Sequence, residues 1–209
     1  MKILIADDHA LIRRGLRDIL VEELGSITIA EVATAEEVLA RVRRENWDVV
    51  LLDINMPGRS GLDVLPELKA ARPALAVLIL SAYPQAEFAI RAVKAGAAGY
   101  LAKDGAPEQL VAAVRKVLAG GRYITAELGE ALAAELNAGA TRPTHDQLSP
   151  REFQILRLLA TARTVKEIAA ELSLSVNTVS THRMRLLKKL GLAGNVELTR
   201  YALQHGLVE

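Results

Sequence analysis

The sequence predicts an α/β domain built on a parallel five-stranded sheet, followed by a smaller all-α domain. Two observations carry this prediction. Over residues 1–122, short apolar runs alternate with amphipathic segments of helical period, which is the pattern of a doubly wound sheet. Residues 147–209 show helical periodicity alone. Between them, residues 123–146 end in a small, polar, proline-broken stretch and form the expected linker.

The predicted strands are five short apolar runs, and four of them end at a polar residue. The strands are expected at residues 2–6, 27–32, 49–53, 76–80 and 98–102. The first runs into Asp7 and Asp8, the third ends at Asp53, the fourth precedes Ser81 and the fifth precedes Lys103. Because the carboxyl ends of parallel strands share one edge of a sheet, we expect these side chains to lie close together.

Five helices are predicted between and after the strands, at residues 10–20, 35–44, 61–72, 85–95 and 107–119. Thr34 and Glu37 have capping-box spacing at the start of the second helix. Gly96 is the expected left-handed cap of the fourth. Pro66 is expected in the first turn of the third helix, where proline is tolerated. Strands and helices in this alternation predict the flavodoxin-like strand order.

Composition limits the class of protein. With 209 residues the chain is long enough for two modest domains, and 51% hydrophobic with 24% charged residues is typical of globular proteins. The absence of cysteine excludes disulfides and thiolate metal sites. The first apolar run is too short for a signal peptide, and no run approaches a membrane span, so we expect a cytoplasmic protein with no membrane partner.

The net charge of +1 is unevenly distributed. Residues 1–125 carry equal numbers of acidic and basic residues, whereas residues 144–209 carry nine Lys and Arg against six Asp and Glu. This surplus favours a polyanion-binding module at the C-terminal end. The aromatic content of 3% argues against a platform that stacks single-stranded bases.

The acidic residues at the strand ends indicate a phosphoryl site. Asp7, Asp8 and Asp53 would repel one another and raise one another's pKa values unless a cation neutralised them. Carboxylates, a carbonyl and water are ligands that suit Mg²⁺, or Mn²⁺ in its place. Lys103 and Ser81 can each contact a phosphate oxygen. Asp53 is then placed as a carboxylate nucleophile toward phosphorus.

The series Asp-Asp, Asp, Ser and Lys at successive strand ends resembles the receiver domain of bacterial response regulators over residues 1–122. The resemblance implies that a sensor histidine kinase phosphorylates Asp53. It implies direct Mg²⁺ ligation by Asp8 and Asp53, ligation through water by Asp7, and a further ligand in the backbone carbonyl of Asn55. It also implies that Ser81 and Tyr100 form a switch pair that responds to the phosphoryl group.

Three helices are predicted in the C-terminal third before a last one at residues 195–205. Ser149, Pro150 and Glu152 are an N-cap, a first helical residue and a capping-box acid. A short helix at residues 165–172 and a longer basic one from Val176 form a helix-turn-helix pattern. The expected core face of the basic helix consists of Val176, Val179, Leu186, Leu187 and Leu190. The other face carries Asn177, Ser180, Thr181, Met184, Arg185 and Lys188, with Arg183 and Lys189 suited to phosphates.

The strings Leu-Ser-Pro-Arg-Glu, Val-Lys-Glu-Ile-Ala-Ala-Glu-Leu and Asn-Thr-Val-Ser-Thr-His-Arg resemble the LuxR-type helix-turn-helix over residues 147–209. The whole chain is therefore similar to a NarL/FixJ-type response regulator. The resemblance implies phosphate contacts by Lys166 and Thr178, and base contacts by Ser180, Thr181 and Met184. It also implies dimerisation through Leu198, Ala202 and Leu203 of the last helix, although an apolar stripe there equally fits intradomain core.

The expected function is that of a response regulator, not an enzyme. Phosphorylation of Asp53 gates homodimerisation and sequence-specific binding to double-stranded promoter DNA, which regulates transcription. One alternative is a phosphatase of the haloacid-dehalogenase type, although such enzymes place a second Asp where this chain has Asn55. A second is an interaction module with a vestigial DNA domain. The four scattered histidines, which include no i, i+4 pair, are not expected to form a metal site.

Overall fold

Five apolar segments pair into one parallel sheet in the N-terminal part of the chain. The computed structural model describes residues 1–82, 86–137 and 144–208. The strands are β1 (Lys2–Ala6), β2 (Thr28–Val32), β3 (Val49–Asp53), β4 (Ala76–Ser81) and β5 (Gly99–Ala102). Their spatial order is β2-β1-β3-β4-β5, and every pair is parallel. This is the flavodoxin-like order that the sequence predicts.

Five helices connect and follow these strands, and a sixth comes after them. They are α1 (Ala10–Leu24), α2 (Ala35–Arg44), α3 (Gly61–Ala71), α4 (Ala86–Lys94), α5 (Pro107–Leu118) and α6 (Ala126–Asn137). All five residues of β3 are buried, because this strand lies in the middle of the sheet with helices over both faces. The buried run that ends at Asp53 is therefore the centre of the hydrophobic core.

Most boundaries agree with the sequence predictions to within a few residues, and the differences have physical causes. Thr34 and Glu37 form the predicted capping box at α2, and Gly96 has the predicted positive φ after α4. The prediction for Pro66 was wrong. Pro66 lies in the interior of α3, on its exposed side, where the helix tolerates a proline that lacks the backbone N–H. The predicted start of the fourth helix at residue 85 lies outside the described residues.

The chain divides into two compact units, Met1–Ala138 and Gly139–Glu209. The helix predicted for the linker, α6, belongs to the first unit and packs against α4, with Leu128 buried. Its N-terminal Thr125 accepts a hydrogen bond from the Leu128 N–H at 3.3 Å. The remainder of the predicted flexible linker, residues 138–143, lies outside the described residues.

The second unit consists of helices around a core of its own. After a short 3-10 helix (Thr144–Gln147) come α7 (Pro150–Ala160), α8 (Val165–Glu171), α9 (Val176–Leu190) and α10 (Asn195–Gln204). Ser149 and Glu152 form the predicted capping box, and Pro150 takes the first helical position. Thr164 and Glu167 form another at α8, which the sequence analysis did not identify.

The core of the second unit also contains a histidine. His145 is buried, and its Nδ1 lies 3.0 Å from the hydroxyl of Tyr201. Its ring packs beside Phe153 and His205. Across the described parts of the two units, none of the helices is both long and apolar enough to cross a bilayer.

Candidate functional site

The carboxyl edge of the sheet brings together the residues that the sequence singles out. Asp7 follows β1 and is fully buried, Asp53 ends β3 and is 1% exposed, and Lys103 follows β5. The Lys103 ammonium lies 2.6 Å from Asp7 Oδ2 and 2.8 Å from Asp53 Oδ2. One cation therefore bridges two carboxylates that belong to adjacent strands, β1 and β3.

The environment of Asp53 makes its charge costly. Burial raises the pKa of the Asp53 carboxyl from its usual 3.8 to about 6, against the opposing effect of the Lys103 ammonium. The nearby Asp7 carboxylate raises the pKa further. A single lysine thus leaves this acidic edge short of positive charge, and an additional cation would lower the pKa of Asp53.

Buried carboxylate oxygens provide a test of whether a divalent ion fits. Four buried carboxylate oxygens among the described residues, Asp7 Oδ2, Asp8 Oδ1 and both Oδ atoms of Asp53, share few partners: Lys103 contacts Asp7 and Asp53, His9 contacts Asp8, and the Asn55 backbone N–H donates to Asp53. Buried carboxylate oxygens normally have partners. Ligand atoms of Asp7, Asp8, His9 and Asp53 all lie within 4.8 Å of one another. Hard oxygen donors at this spacing fit Mg²⁺ or Mn²⁺.

Gly61 allows the start of α3 to lie close to the end of β3. It is the first residue of α3, and a Cβ built on it would lie 2.0 Å from the backbone oxygen of Asp53. No other residue type fits there without displacing the Asp53 backbone. The sequence analysis did not identify this role, because a glycine at a helix start carries no signal of what lies across from it.

Arg13 holds the Asp7 backbone from the side of α1. Its Nη1 donates to the Asp7 carbonyl oxygen at 2.6 Å, and its Nε donates to Glu31 Oε2 at 3.2 Å. Arg17 Nη1 donates to the other oxygen of Glu31 at 3.0 Å. Arg13 thus ties the end of β1 to β2, and Arg17 is a second partner of Glu31. The sequence showed Arg13 only as a polar residue of an amphipathic helix.

His9 also faces the acidic residues, which the sequence analysis did not expect of any histidine. Its Nδ1 lies 2.7 Å from Asp8 Oδ1 and 3.3 Å from Asp7 Oδ1. Its backbone N–H donates to Asp7 Oδ1 at 2.8 Å. The sequence predicted that the histidines would not form a metal site of their own, and it gave no sign that His9 lies among the carboxylates.

The remaining predicted residues of this edge surround the carboxylates. Ser81 ends β4 and is fully buried, and its strand pairs with β3 so that Leu80 lies opposite Asp53. The Lys103 N–H donates to the Ser81 carbonyl at 2.7 Å, which fixes the lysine's strand end beside the serine. Tyr100 is buried on β5, and Asn55 lies in the loop two residues after Asp53.

The second unit presents a basic helix face. Four predicted DNA-contacting residues of α9, Asn177, Met184, Arg185 and Lys188, are exposed, as is Lys166 on α8. Met184 is 63% exposed, which is unusual for an apolar side chain on a folded domain. The face thus offers donors, cations and an apolar contact to a groove of duplex DNA.

Other members of the predicted set are held by bonds within the unit. Arg183 Nε donates to Asn195 Oδ1 at 2.7 Å, and Thr178 Oγ1 lies 2.8 Å from Ser175 Oγ at the helix start. Thr181 Oγ1 donates to the Asn177 carbonyl at 2.9 Å. Arg183, Thr178, Thr181 and Ser180 are half-buried. These residues have less freedom to meet DNA than the exposed ones.

Lys189 pairs with an acid of its own unit, although 41% of its side chain is exposed. Its Nζ lies 2.6 Å from Glu152 Oε2, and Glu152 is buried at the start of α7. Burial alone would raise the pKa of Glu152, but hydrogen bonds from Lys189 and the Ser149 N–H outweigh it and the pKa is lowered. A phosphate contact by Lys189 stays a prediction.

The structure also corrects two predicted faces. Leu198 and Ala202 on α10 are fully buried in the core of their own unit, so they cannot form a dimer surface, whereas Leu203 is 53% exposed. Val176 on α9 is exposed rather than core, because it occupies the first turn beyond the packed part of the helix. Val179, Leu186 and Leu187 are buried as predicted.

Comparison with protein-family models gives two matches. A model described as the response regulator receiver domain matches residues 3–115. A model described as bacterial regulatory proteins of the luxR family matches residues 146–202. Together these two ranges contain the acidic edge of the sheet and the basic face of α9.

Individual proteins are similar over almost the whole chain. The response regulator UvrY of Escherichia coli (strain K12) is 35% identical over 208 residues, which cover 99% of this chain and 95% of UvrY. A structure of the Salmonella typhimurium RcsB response regulator has a TM-score of 0.61 and 25% identity, covering 96% of this chain and 98% of RcsB. A structure of two RcsB dimers bound to two parallel DNAs has a TM-score of 0.59 and 25% identity, with 96% of each chain covered.

Proposed function

The chain belongs to the NarL/FixJ-type response regulators, which join a receiver domain to a LuxR-type DNA-binding domain, and we propose that phosphorylation of its Asp53 gates that DNA binding. The family regulates transcription and is not a family of enzymes. The observation that carries the proposal is the Lys103 ammonium, held between Asp7 and the buried Asp53. The phosphatase alternative lacks its acid, since Asn55 stands where that chemistry needs Asp.

Phosphoryl transfer begins with Asp53 as nucleophile. A sensor histidine kinase supplies phosphohistidine; the P–N bond breaks, an Asp53 Oδ–P bond forms, and the histidine nitrogen keeps the electron pair. Lys103 then contacts a phosphoryl oxygen in place of its carboxylate partners, and the Ser81 hydroxyl donates to another. Arg13 and Gly61 keep the strand ends in place.

Asp8 and Asp53 would hold Mg²⁺ or Mn²⁺ directly, Asp7 through water, and Asn55 through its backbone carbonyl. When bound, the ion neutralises charge that develops on the transferred oxygens. The crowding of these carboxylates around a single lysine supports this ligand set. Ser81 and Tyr100, on adjacent strands β4 and β5, are the proposed switch pair.

We assign residues 1–122 to the receiver, 123–146 to the connection and 147–209 to the DNA-binding domain. The ranges of the two family matches support this assignment, and α6 of the connection packs with the first compact unit. The chain works in the cytoplasm, where the kinase's phosphoryl group and promoter DNA are both accessible.

In the DNA-binding domain, α9 is the helix that enters the major groove. Five of its residues contact bases in this proposal. Asn177, Met184 and Arg185 are exposed, and Ser180 and Thr181 are half-buried. Lys166, Thr178, Arg183 and Lys188 lie toward phosphates. The RcsB dimers bound to DNA support a homodimeric complex with two half-sites.

Of the three α10 residues predicted to form a dimer surface, only Leu203 is exposed, and we add Val196 to it. Leu203 is 53% exposed and Val196, seven residues earlier on the same face, is 86% exposed. Two exposed apolar side chains at this spacing suit a symmetric contact between copies.

The function is tested by adding a small-molecule phosphodonor with Mg²⁺ to the full chain. We expect one phosphoryl group on the peptide that contains Asp53, a shift to dimer on sizing, and tighter binding to promoter DNA. Asp53→Asn should abolish all three. Asp48→Asn is the matched control, because Asp48 precedes the same strand at its opposite end and is exposed. Labelling without a change in assembly or DNA binding contradicts the gating, and no labelling contradicts the site.

A further inference from the structure

We propose that His9 is a further ligand of the acidic site and that it gives the site a preference for ions that accept an imidazole nitrogen over Mg²⁺. This inference rests on the metal site of the proposed function. It concerns the identity of the ion, which carboxylates alone do not determine.

The position of the imidazole carries the inference. Its Nδ1 lies 2.7 Å from Asp8 Oδ1 and 3.3 Å from Asp7 Oδ1, although 61% of the His9 side chain is exposed and free to face solvent. Adjacent ligand atoms around an octahedral ion with bonds of about 2.1 Å are separated by about 3 Å. The imidazole nitrogen and Asp8 Oδ1, a direct ligand in the proposed set, therefore lie at about the spacing of neighbouring ligands.

The backbone fixes His9 at this place. His9 is the N-cap residue of α1, and its N–H donates to Asp7 Oδ1 at 2.8 Å. Arg13, one turn further along α1, holds the Asp7 carbonyl at 2.6 Å. Both ends of this short turn are thus tied to Asp7, which holds the ring beside the carboxylates of Asp7 and Asp8.

The donor set then discriminates between ions. Mg²⁺ prefers oxygen ligands and keeps several waters, so the imidazole adds little to its binding. Later first-row ions bind imidazole well, and Co²⁺ is a suitable probe because it takes both nitrogen and oxygen ligands. With His9 as ligand, the site would hold Co²⁺ directly by the carboxylates of Asp8 and Asp53 and one nitrogen, with Asp7 acting through water.

A competing role for His9 makes the opposite prediction. If the imidazole serves only as a positive partner of Asp8 and Asp7, any ion must displace it. Removing the ring would then strengthen the binding of Co²⁺ and Mg²⁺ alike. If His9 is a ligand, removing it weakens Co²⁺ binding and leaves Mg²⁺ binding nearly unchanged.

The test compares the full-length, tag-free wild type with His9→Ala, and uses His205→Ala as control because His205 is an exposed histidine of the other unit. Titration calorimetry measures the dissociation constants of Co²⁺ and Mg²⁺. We expect His9→Ala to weaken Co²⁺ binding by about 10-fold or more, as for loss of metal-site groups generally, with the Mg²⁺ constant changed less than about twofold. His205→Ala should behave as wild type.

Proton NMR of the Co²⁺-loaded protein identifies the ligand directly. We expect a hyperfine-shifted, exchangeable imidazole N–H resonance in wild type and His205→Ala that is missing from His9→Ala. Its absence from wild type, or tighter Co²⁺ binding by His9→Ala, overturns the inference. If Mg²⁺ still binds and Asp53 is still labelled by the phosphodonor, the proposed function survives that result. Failure of Mg²⁺ to bind wild type overturns the metal site itself.

Discussion

At the scale of the residue, Asp53 combines a catalytic requirement with a cost in stability. In the proposed reaction its carboxylate must be ionised to attack phosphorus. It is nevertheless buried next to Asp7, and both acids contact the same ammonium group of Lys103. Burial raises its pKa to about 6, so at neutral pH the metal-free protein holds a charge that its surroundings disfavour. In the proposed function, the bound ion relieves this charge.

The raised pKa gives a pH dependence of stability with a definite sign. The folded protein binds the Asp53 proton more tightly than the unfolded chain does, so this group's contribution to the unfolding free energy falls as pH rises from about 4 to above 6. A shift from 3.8 to about 6 corresponds to roughly 3 kcal/mol at 1.36 kcal/mol per pKa unit. Asp53→Asn, which has no charge to bury, should therefore be more stable than wild type at pH 8 in EDTA and about equal at pH 4.

Urea unfolding followed by the fluorescence of Trp47, the single tryptophan and a buried residue of the first unit, measures this difference. Asp48→Asn, an exposed change of the same chemistry, should show little pH-dependent difference from wild type. A wild type that is as stable as Asp53→Asn at pH 8 would contradict the raised pKa.

At the scale of the element, local sequence signals decided most helix ends. Four helices begin with a capping box, in which a Ser or Thr caps the helix together with an acid three residues later. The capping residues are Thr34, Ser60, Ser149 and Thr164. Such boxes involve only neighbours in sequence, which is why they can be predicted. Pro66 is an exception to the agreement between local sequence and helix. It lies inside α3 and has no backbone N–H to donate to the preceding turn.

Pro66→Ala should stabilise α3. The Pro66 ring is exposed, so no packing is lost, and alanine restores the helical N–H. We expect the unfolding free energy of the first unit to rise by about 1–3 kcal/mol in urea titrations. The control is Pro73→Ala, beyond the end of α3, which should be neutral or slightly destabilising through the unfolded state. A Pro66→Ala protein that is less stable than wild type would show that the proline is compatible with the helix.

At the scale of the whole molecule, the two units divide the chemistry between them. The first contains the acidic edge of the sheet, and the second carries the basic surplus, with exposed cations on α8 and α9. Each has its own buried core, centred on β3 in one and on Phe153, Leu186 and Leu198 in the other. This division lets a charge added to one unit alter the activity of the other without disturbing either core.

The DNA-binding assignment predicts a salt dependence. The double variant Arg185→Ala with Lys188→Ala removes two exposed cations of α9, so the phosphorylated protein should bind duplex DNA more weakly. The slope of log K against log salt concentration should fall in magnitude by about 1 per lost phosphate contact. The charge-matched control Arg14→Ala with Arg44→Ala, both exposed in the first unit, should leave the slope unchanged. An equal effect of both pairs would indicate general electrostatic attraction and not a binding face.

Several features of this protein were determined by sequence alone. The apolar run ending at Asp53, the strand-end residues Asp7 and Lys103 and the cap at Ser149 were all predicted, because each depends on alternation, length or a neighbour three residues away. The strand order and the helix-turn-helix followed from the same signals. Residue roles beyond these remain proposals that rest on the family.

Only the tertiary structure decided which face of an element meets which partner. Periodicity marked Leu198, Ala202 and Leu203 as one stripe, but packing buried the first two and exposed the third. It likewise placed His9 against Asp8, Arg13 on the Asp7 carbonyl and Gly61 beneath Asp53. These contacts join residues across elements, and the distance between two side chains in space depends on how helices and strands pack and not on the local pattern of either.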